Sequence, residues 1–196
     1  MIVLDMEASS PDNGRGGIWQ IGAIELESGE EFIEEARIDE EDEVNEEALM
    51  VIGKTEKELR DSKKQTQKEL IENFLSWSEK FEDRMIIGHN IGWDSTFLSN
   101  KCMRYGIGQR LRDSLSYRSF DISTLAQALY YRENGKFKTK NGKNDMNSTN
   151  IFAMFGIEDN RIHVNKGEVL KEGIPHNALE DAKNTAKSFQ ELIKQL

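Results

Sequence analysis

The sequence of 196 residues contains a single cysteine, Cys102, and no long run of apolar residues. One cysteine excludes an internal disulfide and fits a reducing cytoplasm, so a cytoplasmic protein with Cys102 buried as a small apolar side chain is expected. The first apolar segment, residues 1–4, is interrupted by Asp5 and is too short for a signal peptide or a membrane span. No membrane association is therefore expected.

Basic residues are also scarce: 26 lysines and arginines face 36 aspartates and glutamates, which gives a formal net charge of -10. Non-specific binding of a polyanion depends on basic side chains that displace counterions from phosphates. Any nucleic acid should therefore be held over few nucleotides. Much of the acidity lies in residues 25–47, where Arg37 is the only basic residue. Apolar residues interrupt this stretch, which favours a solvated charged face over an acidic tail.

The chain length suits one compact domain, expected over residues 1–196. Short apolar or alternating runs predict strands, the third of them at a sheet edge, at residues 2–4, 17–26, 31–38 and 85–88. Apolar residues at helical spacing predict helices at residues 66–81, 94–105, 122–131, 148–155 and 177–196. The polar segment 132–147 is expected to be a mobile loop. This order of elements predicts an α/β fold with a mixed central sheet flanked by helices.

Two carboxylates, Asp5 and Glu7, stand two residues apart at the end of the first buried strand. Because side chains alternate along a strand, both should point to the same face of the sheet. Like charges this close are unfavourable unless a cation lies beside them. Such spacing also arises by chance in an acidic chain, but the position directly after a buried strand favours a site.

Two further carboxylates lie in the first turns of predicted helices. Asp94 shares a helix face with Leu98, which directs it toward the sheet; the alternative is a first-turn aspartate that interacts only with the helix dipole. Asp181 lies in the first turn of the last helix, and His176 lies in the loop just before the N-cap residue Asn177. The aspartate is thus held firmly, whereas the histidine is free to move.

These residue types suit metal-dependent hydrolysis at phosphorus. Mg²⁺ and Mn²⁺ prefer oxygen ligands, and a pair of such ions is the usual arrangement for in-line attack on a phosphodiester. A neutral His176 would take the proton of the attacking water. The hypothesis is a site with two ions, whose ligands are Asp5, Glu7, Asp94 and Asp181.

Three segments resemble, in order, the three exonuclease motifs of the DEDDh (DnaQ-like) family: residues 3–9, 89–94 and 176–182. Residues 18–24 also resemble the second strand of that family, and residues 121–126 its mid-domain helix entry. Each motif alone is weak, whereas all three in order, each in its strand or helix context, are specific.

The resemblance implies an RNase H-like fold and a 3′-to-5′ exonuclease that releases nucleoside 5′-monophosphates. It also implies metal ligation by the four carboxylates, general-base chemistry by His176, and a pocket for the terminal nucleotide around Met6 and Ala8, with Asn90 helping to hold the site. A single-stranded or frayed DNA 3′ end is the expected substrate. A polymerase or repair partner is not identified by any motif.

Two alternatives remain at this stage. The first is an exoribonuclease that trims RNA or degrades short oligoribonucleotides, a choice that depends on contacts with the 2′-hydroxyl. The second is a non-catalytic nucleic-acid-binding module, against which the intact carboxylates and His176 argue. Aromatic and basic residues in segment 130–143 suggest a grip on single strands, although a solvated lysine loop has the same composition.

Overall fold

A computed structural model describes residues 1–196. Its main feature is a mixed five-stranded sheet with the order β3-β2-β1-β4-β5. β1 pairs antiparallel with β2 and parallel with β4, which places it at the centre of the sheet. The strands are β1 (Ile2–Ala8), β2 (Ile18–Glu25), β3 (Glu31–Glu35), β4 (Ile86–Gly88), β5 (Ser119–Asp121), β6 (Thr139–Lys140), β7 (Lys143–Asn144), β8 (His163–Asn165) and β9 (Glu168–Lys171).

Helices cover both faces of this sheet, as the order of elements predicted. They are α1 (Glu46–Ile52), α2 (Glu56–Leu59), α3 (Gln67–Ser78), α4 (Ile91–Arg104), α5 (Gly108–Ser114), α6 (Ile122–Asn134), α7 (Ser148–Met154) and α8 (Ala178–Gln195). The helix predicted at residues 66–81 is α3, and a capping box of Thr66 and Glu69 begins it. At α8, Asn177 is the N-cap, but its side chain bonds to the amides of Leu179 and Glu180 without a reciprocal bond from Glu180.

The alternation of β1 divides the core between the two faces. Leu4 and Met6 pack with α3 and α4, in a cluster that includes Phe74 and Phe97. Val3 lies in the other main cluster, with residues of α6 and α8. The odd-numbered residues of β1 therefore face α8, and this includes both acidic residues of the strand.

The acidic segment 25–47 is more than the expected solvated face. β3 lies at the sheet edge as predicted, but Asp42 is fully buried and its Oδ1 lies 2.5 Å from Nζ of Lys101 in α4. Arg104 also pairs with Asp42, at 3.0 Å, and Gln67 donates a hydrogen bond to it at 2.6 Å. A buried carboxylate requires such partners, so this part of the segment is anchored to the core.

The expected loop at residues 132–147 contains the β6–β7 hairpin. Asn141 and Gly142 both have positive φ, as a tight two-residue hairpin turn requires. Gln127 of α6 bonds to the Lys138 carbonyl and to the Asn144 side chain, at 2.7 and 2.5 Å. The segment is thus anchored to α6. Further elements that the sequence did not predict are the β8–β9 hairpin, α1, α2, α5 and β5.

No helix combines the length and apolar character needed to cross a lipid bilayer. The extent of a single domain over residues 1–196 stays a prediction.

Candidate active site

Asp5 and Glu7 lie within β1 rather than beyond its end, because the strand continues to Ala8. Both belong to the set of side chains that faces α8, so the predicted shared face is confirmed. In the neighbouring strand, Gly22 is paired with Asp5, and Gln20 is paired with Glu7. This register places two residues of β2 directly beside the carboxylates.

Gln20 and Gly22 fix the start of α8 against the sheet. The Gln20 side-chain oxygen accepts a buried hydrogen bond of 2.9 Å from the Ala178 amide. At Gly22 a Cβ atom would lie only 2.2 Å from the backbone nitrogen of Leu179, so only glycine permits this approach. The first turn of α8 is therefore held over the centre of the sheet, and it carries Asp181 to the carboxylates of β1.

Three of the five predicted catalytic residues meet directly. The candidate ligand atoms of Glu7, His176 and Asp181 all lie within 4.8 Å of one another. His176 Nδ1 is 3.4 Å from Asp181 Oδ2 and 4.0 Å from Glu7 Oε1. Asp5 lines the same small cavity, of about 190 Å³. His176 and Asp181 lie 171 and 176 positions after Asp5 in the sequence, and the fold brings them to it.

The structure places Asp94 and Asn90 outside this cavity lining. Asp94 is buried in the first turn of α4, as predicted, and its charge contributes to the raised pKa of Asp5. Asn90 is exposed and has a left-handed backbone, with φ of 55°, where the chain turns from β4 into α4. Asp94 is therefore electrostatically coupled to the cluster, whereas Asn90 contributes to the turn.

Burial and mutual repulsion perturb the carboxylates strongly. Withdrawal from water raises the pKa of Asp5 well above its usual value, and the charges of Asp181 and Glu7 raise it further. Burial likewise raises the pKa of Glu7 to about 8, and it raises that of Asp94. Such a cluster favours protons or cations. Because the donors are mainly carboxylate oxygens, this set fits magnesium or manganese.

The ring of His176 is oriented by contacts on two sides. Its Nε2 donates to the Ile162 carbonyl at 3.2 Å, so Nδ1 faces Glu7 and Asp181. Burial lowers the pKa of His176, but the hydrogen bond to Asp181 and the charge of Glu7 outweigh burial and raise it. The cluster of acids therefore favours the protonated ring.

Sequence reasoning missed two basic side chains that line the cavity. Nη1 of Arg161 lies 3.2 Å from Asp181 Oδ1. His89, for which the sequence predicted no role, also lines the cavity, and its Nε2 donates a hydrogen bond to the Met146 carbonyl at 3.1 Å. No local spacing marks Arg161, because it lies 20 residues before Asp181 and meets it only in the folded chain.

A second, more apolar cavity of about 340 Å³ shares Met6 and Glu7 with the lining of the carboxylate cavity. Met6 and Ala8, which the resemblance assigns to the substrate pocket, both line it, and Trp93 of α4 does too. Nε1 of Trp93 donates to the Pro11 carbonyl at 3.0 Å. The far wall is α1, an element absent from the sequence predictions, with Ala48, Val51 and Ile52.

The fold is similar to that of exonuclease I. Escherichia coli exonuclease I in complex with a dT13 oligonucleotide matches with a TM-score of 0.73 and 18% identity, over 99% of this chain and 41% of that one. The zinc-bound form of the E. coli exonuclease I–single-stranded DNA complex matches at 0.71 and 19%, over 98% and 40%. Exonuclease I from Methylocaldum szegediense matches at 0.69 and 18%, over 98% and 40%. The chain spans about two fifths of the length of these proteins, and the predicted α/β fold with a mixed sheet is confirmed.

Among curated protein sequences, none matches this chain significantly. The model of the RNase T family, described as exonuclease, matches residues 2–189, which is nearly the whole chain. That match covers both acidic residues of β1, Asp94 and the His176–Asp181 segment. The chain therefore belongs to the DnaQ-like, RNase T family of exonucleases.

Proposed function

We propose that this protein is a metal-dependent 3′-to-5′ exonuclease that releases nucleoside 5′-monophosphates from single-stranded or frayed DNA ends. The observation that carries the proposal is the convergence of Glu7, His176 and Asp181 within 4.8 Å, beside Asp5 and next to an apolar cavity. The 3′-to-5′ direction of cleavage is proposed from the family resemblance.

Two divalent ions, Mg²⁺ or Mn²⁺, are the proposed cofactors, with four carboxylates as ligands: Asp5, Glu7, Asp94 and Asp181. When bound, the ions would supply a nucleophilic water and offset the charge on the leaving oxygen. The raised pKa values of Asp5, Glu7 and Asp94 support this assignment, because cations would replace the protons that burial favours.

His176 is the proposed general base. Since Nε2 donates to the Ile162 carbonyl, the neutral ring would carry its proton on Nε2 and its lone pair on Nδ1, toward the cavity. Nδ1 would accept the proton from the attacking water. The Ile162 carbonyl would hold the neutral ring in this orientation, and Asp181, whose Oδ2 lies 3.4 Å from Nδ1, would accept a hydrogen bond from Nδ1 once it is protonated.

The apolar cavity is the proposed binding site of the terminal nucleotide. Its volume lies within the roughly 300–1,000 Å³ typical of small-ligand sites, and Met6, Ala8 and Trp93 give it an apolar lining that suits a base or sugar. A contact of Asn90 with the nucleotide stays a prediction.

The nucleic-acid strand on the 5′ side of the terminal nucleotide is proposed to run along the β6–β7 hairpin. Tyr131 and Phe137 are exposed there, with ring centroids 4.8 Å apart. The hairpin and its flanks carry four lysines, at positions 136, 138, 140 and 143. Exposed aromatic rings with nearby lysines are the combination that binds single strands by stacking and phosphate contact.

DNA is favoured because exonuclease I, to which this fold is similar, has been crystallised with DNA oligonucleotides. RNA trimming is the second candidate, since the chain also belongs to the RNase T family. A non-catalytic module is disfavoured because all four carboxylates and His176 are present. A cytoplasmic location stays a prediction, and no polymerase or repair partner is proposed.

The deciding experiment compares 5′-labelled single-stranded DNA and RNA of one sequence, incubated with Mg²⁺ or Mn²⁺. A ladder that shortens from the 3′ end is expected, and it should disappear in EDTA and in the Asp5→Ala variant. The strand that is shortened faster identifies the preferred sugar. Intact DNA and RNA with both metals would instead support a binding module.

A further inference from the structure

Arg161 is the only lysine or arginine among the 10 residues that line the carboxylate cavity. It lies between α7 and β8, and its side chain is only 12% exposed. Burying an arginine is costly unless its donors are satisfied. The position of each guanidinium nitrogen therefore indicates what this residue does.

Two of the three nitrogens are held by contacts away from the carboxylate cluster. Nε and Nη2 bond to the two carboxylate oxygens of Asp159, each at 2.9 Å, and Nη2 also bonds to Ser148 Oγ at 3.0 Å. The guanidinium lies 5.0 Å from the ring centroid of Phe152. Asp159 is itself fixed by Thr149, whose hydroxyl donates to it at 2.8 Å. These contacts orient the guanidinium plane.

The third nitrogen, Nη1, points into the cavity and lies 3.2 Å from Asp181 Oδ1. The forked pair with Asp159 alone would account for a structural arginine. It does not require that Nη1 face a cavity lined by Asp5, Glu7 and His176. A buried, oriented cation is thus presented where the proposed function places the reacting phosphate.

We propose that Arg161 binds a phosphate oxygen of the substrate and of the nucleoside monophosphate product. The inference rests on the proposed function and names one of its catalytic residues. Divalent ions at the carboxylates would compete with Arg161 for Asp181, which leaves Nη1 available to an anion. The planar guanidinium donates to phosphate oxygens with fixed geometry, and a fork already held by Asp159 loses little freedom on binding.

The test measures binding of thymidine 5′-monophosphate and of thymidine to the full chain, by calorimetry with Mg²⁺. Neither compound contains a phosphodiester, so binding is read without turnover. The parent should prefer the monophosphate. Arg161→Gln should reduce monophosphate affinity by roughly 10- to 100-fold, as expected for a charge-assisted hydrogen bond, and leave thymidine affinity unchanged.

The matched control is Arg118→Gln, which removes an exposed arginine whose side chain donates a hydrogen bond to Tyr117 and lies over its ring. It should bind both compounds like the parent. Mn²⁺ titration of each variant provides an independent reading, because a residue that only positioned Asp181 would change metal affinity but, at saturating metal, leave the preference for the monophosphate unchanged. If Arg161→Gln keeps the preference of the parent, the inference is wrong whatever happens to metal affinity.

Two further measurements separate failure of this inference from misfolding of the variant and from failure of the proposed function. In the parent labelled with ¹⁵N-arginine, the Arg161 side-chain signal should shift with the monophosphate and Mg²⁺ but not with thymidine; equal spectra overturn the inference without any variant. A parent that degrades DNA but binds both compounds equally refutes Arg161 alone. A parent that neither degrades DNA nor binds the monophosphate refutes the proposed function as well.

Discussion

Replacing Glu7 with glutamine should stabilise the metal-free protein, although it removes a proposed metal ligand. Burial raises the pKa of Glu7 from 4.5 to about 8. A group with a raised folded pKa contributes its full stability below the unfolded value, and this stability is lost as the pH rises through the folded value. The free-energy cost of keeping Glu7 buried in the folded protein therefore grows between pH 4.5 and about 8. Glutamine has nearly the same shape and no charge, so it avoids that cost.

The size of the effect follows from the same two pKa values. Each pKa unit corresponds to about 1.36 kcal/mol, and linkage then gives a gain of about 3 kcal/mol at pH 7 but under about 1 kcal/mol at pH 5. For a chain of this length, Glu7→Gln should raise Tm by roughly 6–12 °C at pH 7. Thermal unfolding in EDTA at both pH values measures the difference.

A matched control is Glu133→Gln, which neutralises an exposed glutamate on α6. It should leave Tm nearly unchanged. Excess Mn²⁺ should narrow or reverse the advantage of Glu7→Gln, because ions that bind the folded parent stabilise it by mass action. A Glu7→Gln protein that melts at or below the Tm of the parent in EDTA at pH 7 would refute the electrostatic reasoning.

Four other changes test different parts of the structure. Asp94→Asn should abolish turnover while circular dichroism shows a folded protein, and near-full activity would show that Asp94 is not a ligand. His176→Ala should slow hydrolysis by about 10²- to 10⁴-fold at saturating metal in single-turnover assays, and an unchanged rate would exclude the base role. Gly22→Ala should destabilise the protein by about 1–3 kcal/mol in urea unfolding, because its Cβ would meet the backbone of α8; parent-like stability would contradict this packing. Lys138→Ala combined with Lys140→Ala should weaken oligonucleotide binding and lower its salt dependence, and identical slopes would exclude the hairpin from the strand path.

Local sequence signals were sufficient for the elements that carry the proposed ligands. The alternation of β1 placed Asp5 and Glu7 on one face, and the N-cap Asn177 placed Asp181 in the first turn of α8. These positions depend on strand and helix periods, which short stretches of sequence contain. The start of α3 was recoverable from its capping box for the same reason.

Other local signals were present but too short to interpret by periodicity. α2 has only four residues, although Thr55 and Glu58 form a capping box at its start. Asn141-Gly142 is a strong signal for a two-residue hairpin turn, and it lies in the segment predicted to be a mobile loop. Turn chemistry would have located this hairpin where hydrophobic patterning did not.

Contacts between distant residues could not be predicted from one sequence. The buried pair of Asp42 and Lys101 joins positions 59 residues apart, and it contradicts the expectation of a solvated acidic face. Arg161 reaches Asp181 only because α7 and the β8–β9 hairpin bring it to the cavity. The sequence around Asp42 or Arg161 does not distinguish a buried charge with a distant partner from an ordinary surface charge.

Because the proposed metal ligands lie near both ends of the chain, hydrolysis requires the complete fold. Asp5 lies in the first strand, and Asp181 lies 176 residues later, in a helix that packs on the sheet through apolar side chains, a buried hydrogen bond of Gln20 and a close backbone contact at Gly22. A partly unfolded form that keeps the sheet but releases α8 would retain much secondary structure and cleave nothing. Loss of activity in denaturant, compared with loss of the sheet signal, would then measure whether α8 unfolds with the rest of the protein or before it.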